Sequence, residues 1–322
     1  MPSRRVGNVR FPQSSRVTPV LTHRRTFLTA TLGMLEIGAS SARQAITLGF
    51  SLYGMPGLSV PDAIATASRI GYDDVEMASL AGYPGDPDRL DSAARSQIRK
   101  ALEKHRIRIS AFMDNLKLLS EDSAHRENLA RIHRVAQLAR DLGVAKPPII
   151  ETILGGQPGE WEASKDAMAA RLKEWVAAAA AERVLLAIKA HVRNAMQTPA
   201  QAKWLRARVD SRWLRFTYDY SHFSLQGFAL KETLQALVPY TSFVHVKDTG
   251  GTADQPQFQL PGEGGVDYTS YLRLLKQYGY RGSVTVEVSA QIHRKPGYDA
   301  TDAAERSYRV LASARKQASS TA

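Results

Sequence analysis

Between Ile46 and Lys316 two kinds of apolar pattern alternate along the chain. Short runs rich in Ile, Val, Phe and Leu read as strands, and longer stretches with apolar positions three and four apart read as amphipathic helices. Strands are predicted at Ile46–Tyr53, Asp74–Ala78, Ile107–Met113, Pro148–Ile153, Val184–Lys189, Leu214–Tyr220, Ser242–Lys247 and Ser283–Ser289. The helices between them are placed up to Ile70, at Asp91–His105, Ser123–Leu142, Trp161–Glu182, Pro199–Val209, Leu230–Leu237, Tyr268–Tyr278 and Asp299–Lys316. Ser59 before Val60-Pro61-Asp62 suits an N-cap with proline in the first turn, and Gly71 and Gly143 suit helix ends. Strand and helix alternating eight times is the rhythm of a (β/α)8 barrel of roughly 250 residues. The other doubly wound option, an open sheet, loses its usual support. Gly54-Met55-Pro56-Gly57-Leu58 after the first strand is not a Gly-X-Gly-X-X-Gly turn. Residues 46–316 are thus read as one barrel and residues 317–322 as a polar, disordered tail.

The polar interruptions of the strands carry the chemistry. A strand covered on both faces should be apolar throughout, yet Ser283–Ser289 holds Glu287 near its end. In a barrel alternate residues point inward and chemistry sits at the C-terminal strand ends. That parity turns inward Glu76, Glu151, Lys189 with His191 just beyond it, Asp219, His245 with Lys247, and Glu287. Structural ion pairs account for one or two such residues, Glu76 first among them. An acid or imidazole at one height on five strands is better explained by a shared site, because each unpaired buried charge costs several kcal/mol. Asp, His and Glu around a common cavity suit a divalent ion such as Mn²⁺, Mg²⁺, Co²⁺ or Zn²⁺.

Charge and composition narrow the picture. The chain has no cysteine, which excludes disulfides, thiolate metal sites and a cysteine nucleophile. Its net charge of +12 is uneven: residues 1–45 hold seven arginines and one glutamate, half of the excess. The remaining charges are interspersed, so no nucleic-acid partner is expected. His23-Arg24-Arg25-Thr26-Phe27-Leu28, an apolar stretch to Ala39 and small residues to Ala42 follow the order of a signal peptide, with a paired Arg that resembles the twin-arginine export signal. Residues 1–45 are therefore expected to be a cleaved leader and the mature protein to be periplasmic, with no membrane contact, or cytoplasmic should the signal not function. A homo-oligomer is left open.

Four short motifs in order carry a resemblance: Tyr218-Asp219-Tyr220-Ser221-His222, Val244-His245-Val246-Lys247-Asp248, the loop Pro261–Tyr268, and Val286-Glu287-Val288. From Ile46 to Leu311 the chain resembles the xylose-isomerase-like barrels, the sugar phosphate isomerase/epimerase superfamily. That group includes ketose 3-epimerases, hydroxypyruvate isomerases, inosose dehydratases and, more distantly, endonuclease IV. The resemblance implies metal ligation by Asp219, His245 and Glu287. Where those epimerases carry a fourth ligand, a Glu on the fifth strand, this chain reads Lys189. Glu151 as replacement ligand or base, Lys189 itself as base or acid, and loss of the metal with Lys189 paired to Glu287 are three accounts of that change.

The implied chemistry is metal-assisted proton abstraction next to a carbonyl of a sugar, keto-sugar or polyol derivative. Glu287 is the first choice of base, and Glu151 or Lys189 would handle the second proton. His222, His191, Lys247 and Glu76 are candidate substrate contacts. Isomerisation, epimerisation or loss of a β-substituent, as in a lyase or dehydratase acting on a keto-sugar or glycoside, could follow from one enolate. A non-catalytic carbohydrate-binding barrel is the reading from another class. A nuclease would need a richer His/Asp/Glu set.

Overall fold

The computed structural model describes residues 46–144 and 147–320. The arginine-rich leader and its expected cleavage point lie outside them. Eight parallel strands close on themselves: β1 (Thr47–Ser51), β2 (Asp74–Ala78), β3 (Arg108–Met113), β4 (Ile149–Ile153), β5 (Leu185–Lys189), β6 (Leu214–Asp219), β7 (Thr241–Val246) and β10 (Ser283–Val286), which pairs with both β7 and β1. A two-stranded antiparallel ribbon, β8 (Asp248–Gly251) and β9 (Pro256–Gln259), projects after β7. The helices are α1 (Val60–Ile70), α2 (Ser92–His105), α3 (Asp122–Asp141), α4 (Trp161–Glu182), α5 (Pro199–Val209), α6 (Tyr220–Ser224), α7 (Leu230–Leu237), α8 (Tyr268–Gln277), α9 (Ala290–His293) and α10 (Ala300–Ser319). The expected (β/α)8 barrel is what forms.

Local chemistry sets the boundaries. The Ser59 hydroxyl accepts the Asp62 N–H at the start of α1, and Gly71, at φ 114°, closes it in the left-handed region. Thr198 and Gln201 form a reciprocal capping box before α5. The strand faces under the helices are apolar: Leu48, Phe50, Val75, Leu186, Ile188, Val244, Val284 and Val286 are all buried in the layer between sheet and helices. At about 25 cal/mol per Å² this burial is the main favourable term in folding.

Two expectations shift. The segment expected to be a disordered tail from residue 317 starts as helix, since α10 continues to Ser319. Lys276 on α8 holds its end, donating to the Ala318 carbonyl at 3.3 Å and the Ser319 hydroxyl at 3.0 Å. The eighth barrel strand ends at Val286, so Glu287 stands just past it, its N–H still bonded to the Val246 carbonyl at 3.1 Å.

At the N-terminal end of the barrel Asp74, Ser283 and Thr285 converge on Gly49. A Cβ there would lie 2.5 Å from the Thr285 hydroxyl and 2.6 Å from that of Ser283, and closer still to the Asp74 carboxylate. Gly49→Ala is expected to destabilise the barrel by about 1–3 kcal/mol through overpacking, read as a lower urea midpoint with an unchanged slope. An unchanged midpoint would show that the polar cluster can yield.

Candidate active site

The strand ends at the C-terminal mouth bring all nine predicted residues into one neighbourhood. The register explains part of this: Asp219 is paired with His245 across β6 and β7, and His245 with Thr285 across β7 and β10, which sets Glu287 two residues further on. Glu76, Glu151, Lys189, Asp219, His222, His245 and Lys247 are all buried, while Glu287 keeps 12% of its side chain exposed.

His245 is the hub. Its Nε2 lies 3.0 Å from Glu76 Oε2, and its Nδ1 lies 3.0 Å from Lys189 Nζ and 3.3 Å from Glu287 Oε2. The Lys189 ammonium stands between two acids, 3.2 Å from Glu151 Oε1 and 3.2 Å from Glu287 Oε2. Lys247 bridges another two, donating to Asp219 Oδ2 and, at 2.6 Å, to Glu287 Oε2. Asp219 Oδ1 accepts from the Ser221 N–H at 3.1 Å and the Ser221 hydroxyl at 2.6 Å, so the first turn of α6 fixes it. Glu287 Oε2 thus gathers both ammoniums. Its Oε1 has no hydrogen-bond partner among the described residues, and Glu287 lines the open cavity.

Charge compensation sorts the protonation states. Burial alone would push Glu287 and Asp219 up. The ammoniums beside them win, and both stay well below the usual carboxylate range, Glu287 through Lys189, Lys247 and His245, and Asp219 chiefly through Lys247. For Glu151 burial wins over Lys189 and lifts the carboxyl to about 7. Burial would depress His245, but Glu76 and Glu287 outweigh it and raise the imidazole to about 9. Lys189 is likewise held above its ordinary value by Glu151 and Glu287 against the cost of burial. His191 and His222, rings 4.0 Å apart, are pushed down by burial and stay neutral.

The sign of the pH effect follows from these directions. The raised imidazole contributes stability that is complete below its unfolded value near 6.5 and lost as pH rises through about 9. The raised Glu151 weakens the fold as pH climbs from the ordinary glutamate range to about 7. The depressed Asp219 and Glu287 weaken it on acidification. In chelator-treated protein the melting temperature should therefore fall between pH 7 and 10, and His245→Gln should flatten that fall. An equal slope in both proteins would remove His245 as its source.

The donor set fits a divalent ion in type and spacing. In each of two triads, Glu76–Glu151–His245 and Asp219–His245–Glu287, the ligand atoms lie within 4.8 Å of one another. Glu76 on the far nitrogen of His245 is the carboxylate–histidine support that metal-binding imidazoles use. Glu151 groups with Glu76 and His245, not with Asp219 and Glu287. Lys189 and Lys247 both contact Glu287 Oε2, so an ion held through that oxygen would compete with the two ammoniums.

A cavity of about 400 Å³ opens above this cluster. Sequence reasoning missed several of its walls: Tyr53 in the turn after β1, Asn115, Arg193, Gln291, and Phe258 from β9, which lies 5.3 Å from the Lys247 ammonium and edge-on to His222. β8 and β9 are too short to show a period, and the alternation Gln257-Phe258-Gln259 was the only signal available. The segment after β10, from the end of α9 to Tyr298, acts partly as a brace. His293 packs edge-on to Tyr53, and the Tyr298 hydroxyl donates to the Gly54 carbonyl at 2.8 Å.

A family model described as xylose isomerase-like TIM barrel matches residues 64–314. The chain is 27% identical over 270 residues to L-ribulose-5-phosphate 3-epimerase UlaE of Salmonella paratyphi C (strain RKS4594), covering 81% of this chain and 85% of that protein. Two solved structures share the fold. One is the probable 3-DHS dehydratase AsbF of Bacillus anthracis, with TM-score 0.69, 16% identity, and 83% of this chain and 99% of that one covered. The other is the IOLI protein with a binding zinc atom, with TM-score 0.68, 18% identity, and 83% and 99% covered.

Proposed function

The chain belongs to the xylose isomerase-like TIM barrel family, and we propose that it is a sugar isomerase or epimerase that removes a proton next to a carbonyl of a sugar or keto-sugar. One observation carries this reading: a carboxylate with one free oxygen, Glu287, faces a polar cavity beside two ammoniums that can hold a developing oxyanion. Asp219, His245 and Glu287 would hold a divalent ion of the Mn²⁺, Mg²⁺, Co²⁺ or Zn²⁺ class, which supplies Lewis-acid polarisation of the substrate carbonyl.

Glu287 Oε1 accepts the substrate proton. In the resting site Glu287 is a weak base because Lys189 and Lys247 hold its Oε2. A substrate oxygen that takes over those N–H donors releases the carboxylate and raises its basicity as negative charge builds on that oxygen. Glu151, poised at about 7, returns or receives the second proton. His222 and His191 stay neutral and offer hydrogen bonds to hydroxyls. The twin-arginine-like leader supports an exported enzyme, and with it a substrate without a phosphate.

The test is proton exchange. The protein, purified with and without added Mn²⁺, is incubated with a panel of ketoses in D₂O and followed by ¹H NMR. Loss of a signal next to the carbonyl of at least one ketose is expected. Binding of ketoses with no exchange under either condition would leave a carbohydrate-binding barrel in place of an enzyme.

A further inference from the structure

A second cavity, of about 530 Å³, opens beside the first over the segments that follow β3, β4 and β5. Asn115, Ile153 and Arg193 line both, so the two spaces adjoin along one wall. Small-ligand sites run from roughly 300 to 1,000 Å³, and the inner cavity alone already falls in that range. A single sugar ring over Glu287 leaves the outer space unused.

The outer space and the wall it shares hold polar groups that are not spent on one another, although Asn194 Oδ1 and Glu160 Oε2 there accept the Gly155 and Gln157 N–H. Both inner lysines contact two acids each. Lys117 and Arg193 make no side-chain hydrogen bond or ion pair among the described residues, and the side-chain amides of Asn115 and Gln157 are equally free. These unspent donors and acceptors stand next to apolar Leu116 and Leu119. Apolar patches beside free amides and cations match a pyranose, whose C–H faces need apolar contact and whose hydroxyls need hydrogen-bond partners. Gly155, at φ 77°, keeps the turn after β4 free of a side chain on this floor.

We propose that the substrate is a glycosylated sugar, with its reacting ring against Glu287 and Lys189 and a second sugar unit in the outer cavity, the linkage passing between Asn115 and Arg193. The placement of the reacting ring rests on the enolisation reading above; the second unit rests on the outer cavity itself.

Calorimetry with D-fructose and three disaccharides that end in fructose (turanose, lactulose and isomaltulose) tests it. At least one disaccharide should bind about tenfold more tightly than fructose, close to 1.4 kcal/mol. Gln157→Arg fills only the outer cavity, at an exposed position away from the core. It should bring that ratio near unity and leave fructose binding unchanged. Disaccharides that bind no better than fructose, no binding of any of the four, or an advantage that survives Gln157→Arg would overturn the proposal. Tighter disaccharide binding without C–H exchange would sink the enolisation reading and leave the outer site standing. Exchange of fructose with no gain from a second unit would do the reverse.

Discussion

Glu287→Gln should lower the rate of substrate C–H exchange by about 10²–10⁴-fold, the usual contribution of a positioned general base. The change keeps the side chain's shape and removes its negative charge and with it the ability to take a proton. Glu287 is suited to the role because its two oxygens do different work. Oε2 is anchored by Lys189 at 3.2 Å and Lys247 at 2.6 Å, while Oε1 is left free toward the cavity. An amide in its place still accepts a hydrogen bond from one ammonium, so sugar binding should change far less than exchange. The contrast is checked by measuring exchange in D₂O and affinity by calorimetry on the same preparation. Exchange at the wild-type rate would remove Glu287 as the base. Glu151→Gln should act differently: the ionisation near pH 7 should vanish from the pH–rate profile, because burial, only partly offset by Lys189, places that carboxyl's titration there.

The barrel and the membership of its polar ring were legible in the sequence because strand parity is a strict period of two. Glu76, Glu151, Lys189, Asp219, His245 and Glu287 all follow from counting alternate residues along strands whose ends the apolar pattern places within two residues, except the eighth, which stops three residues before the expected Ser289. Who pairs with whom was not legible. That His245 takes Glu76 on one nitrogen and Lys189 and Glu287 on the other depends on barrel closure between β10 and β1, a contact spanning most of the chain. The cavity walls were harder still. Phe258 lies in a four-residue strand and Arg193 in a loop, neither with a period to read, and only the folded barrel brings them to the wall of one cavity with Lys247 and Glu151. The same limit hid α6: a five-residue helix is set by the Asp219 cap on the Ser221 N–H, not by any apolar stripe.

Lys189→Gln should give the largest stability change, a loss of about 3–5 kcal/mol in chelator, as expected when one partner of a buried ion pair is removed. Four carboxylates, Glu76, Glu151, Asp219 and Glu287, share this site with two ammoniums and one raised imidazole. Lys189 is the only ion-pair partner of Glu151 among the described residues, and even that contact is poorly aligned, since Glu151 Oε1 makes no directed hydrogen bond. With the ammonium gone, Glu151 must either stay charged in a buried place or take up a proton well above neutrality. The same substitution clears the neighbourhood of three metal-type donors, which lie 3.0 to 3.2 Å from the ammonium that leaves. A divalent ion can then supply the missing positive charge without displacing a lysine. Mn²⁺ should therefore stabilise Lys189→Gln by about 2.7 kcal/mol at a hundred times its dissociation constant for the variant, and the wild type by less. Urea unfolding of both proteins, with chelator and with Mn²⁺, reads the two effects together. A variant as unstable with Mn²⁺ as without it would mean that Lys189 is a plain structural cation and does not compete with an ion for Glu287. A wild type that gains more from Mn²⁺ than the variant would mean that the lysine and the metal work side by side.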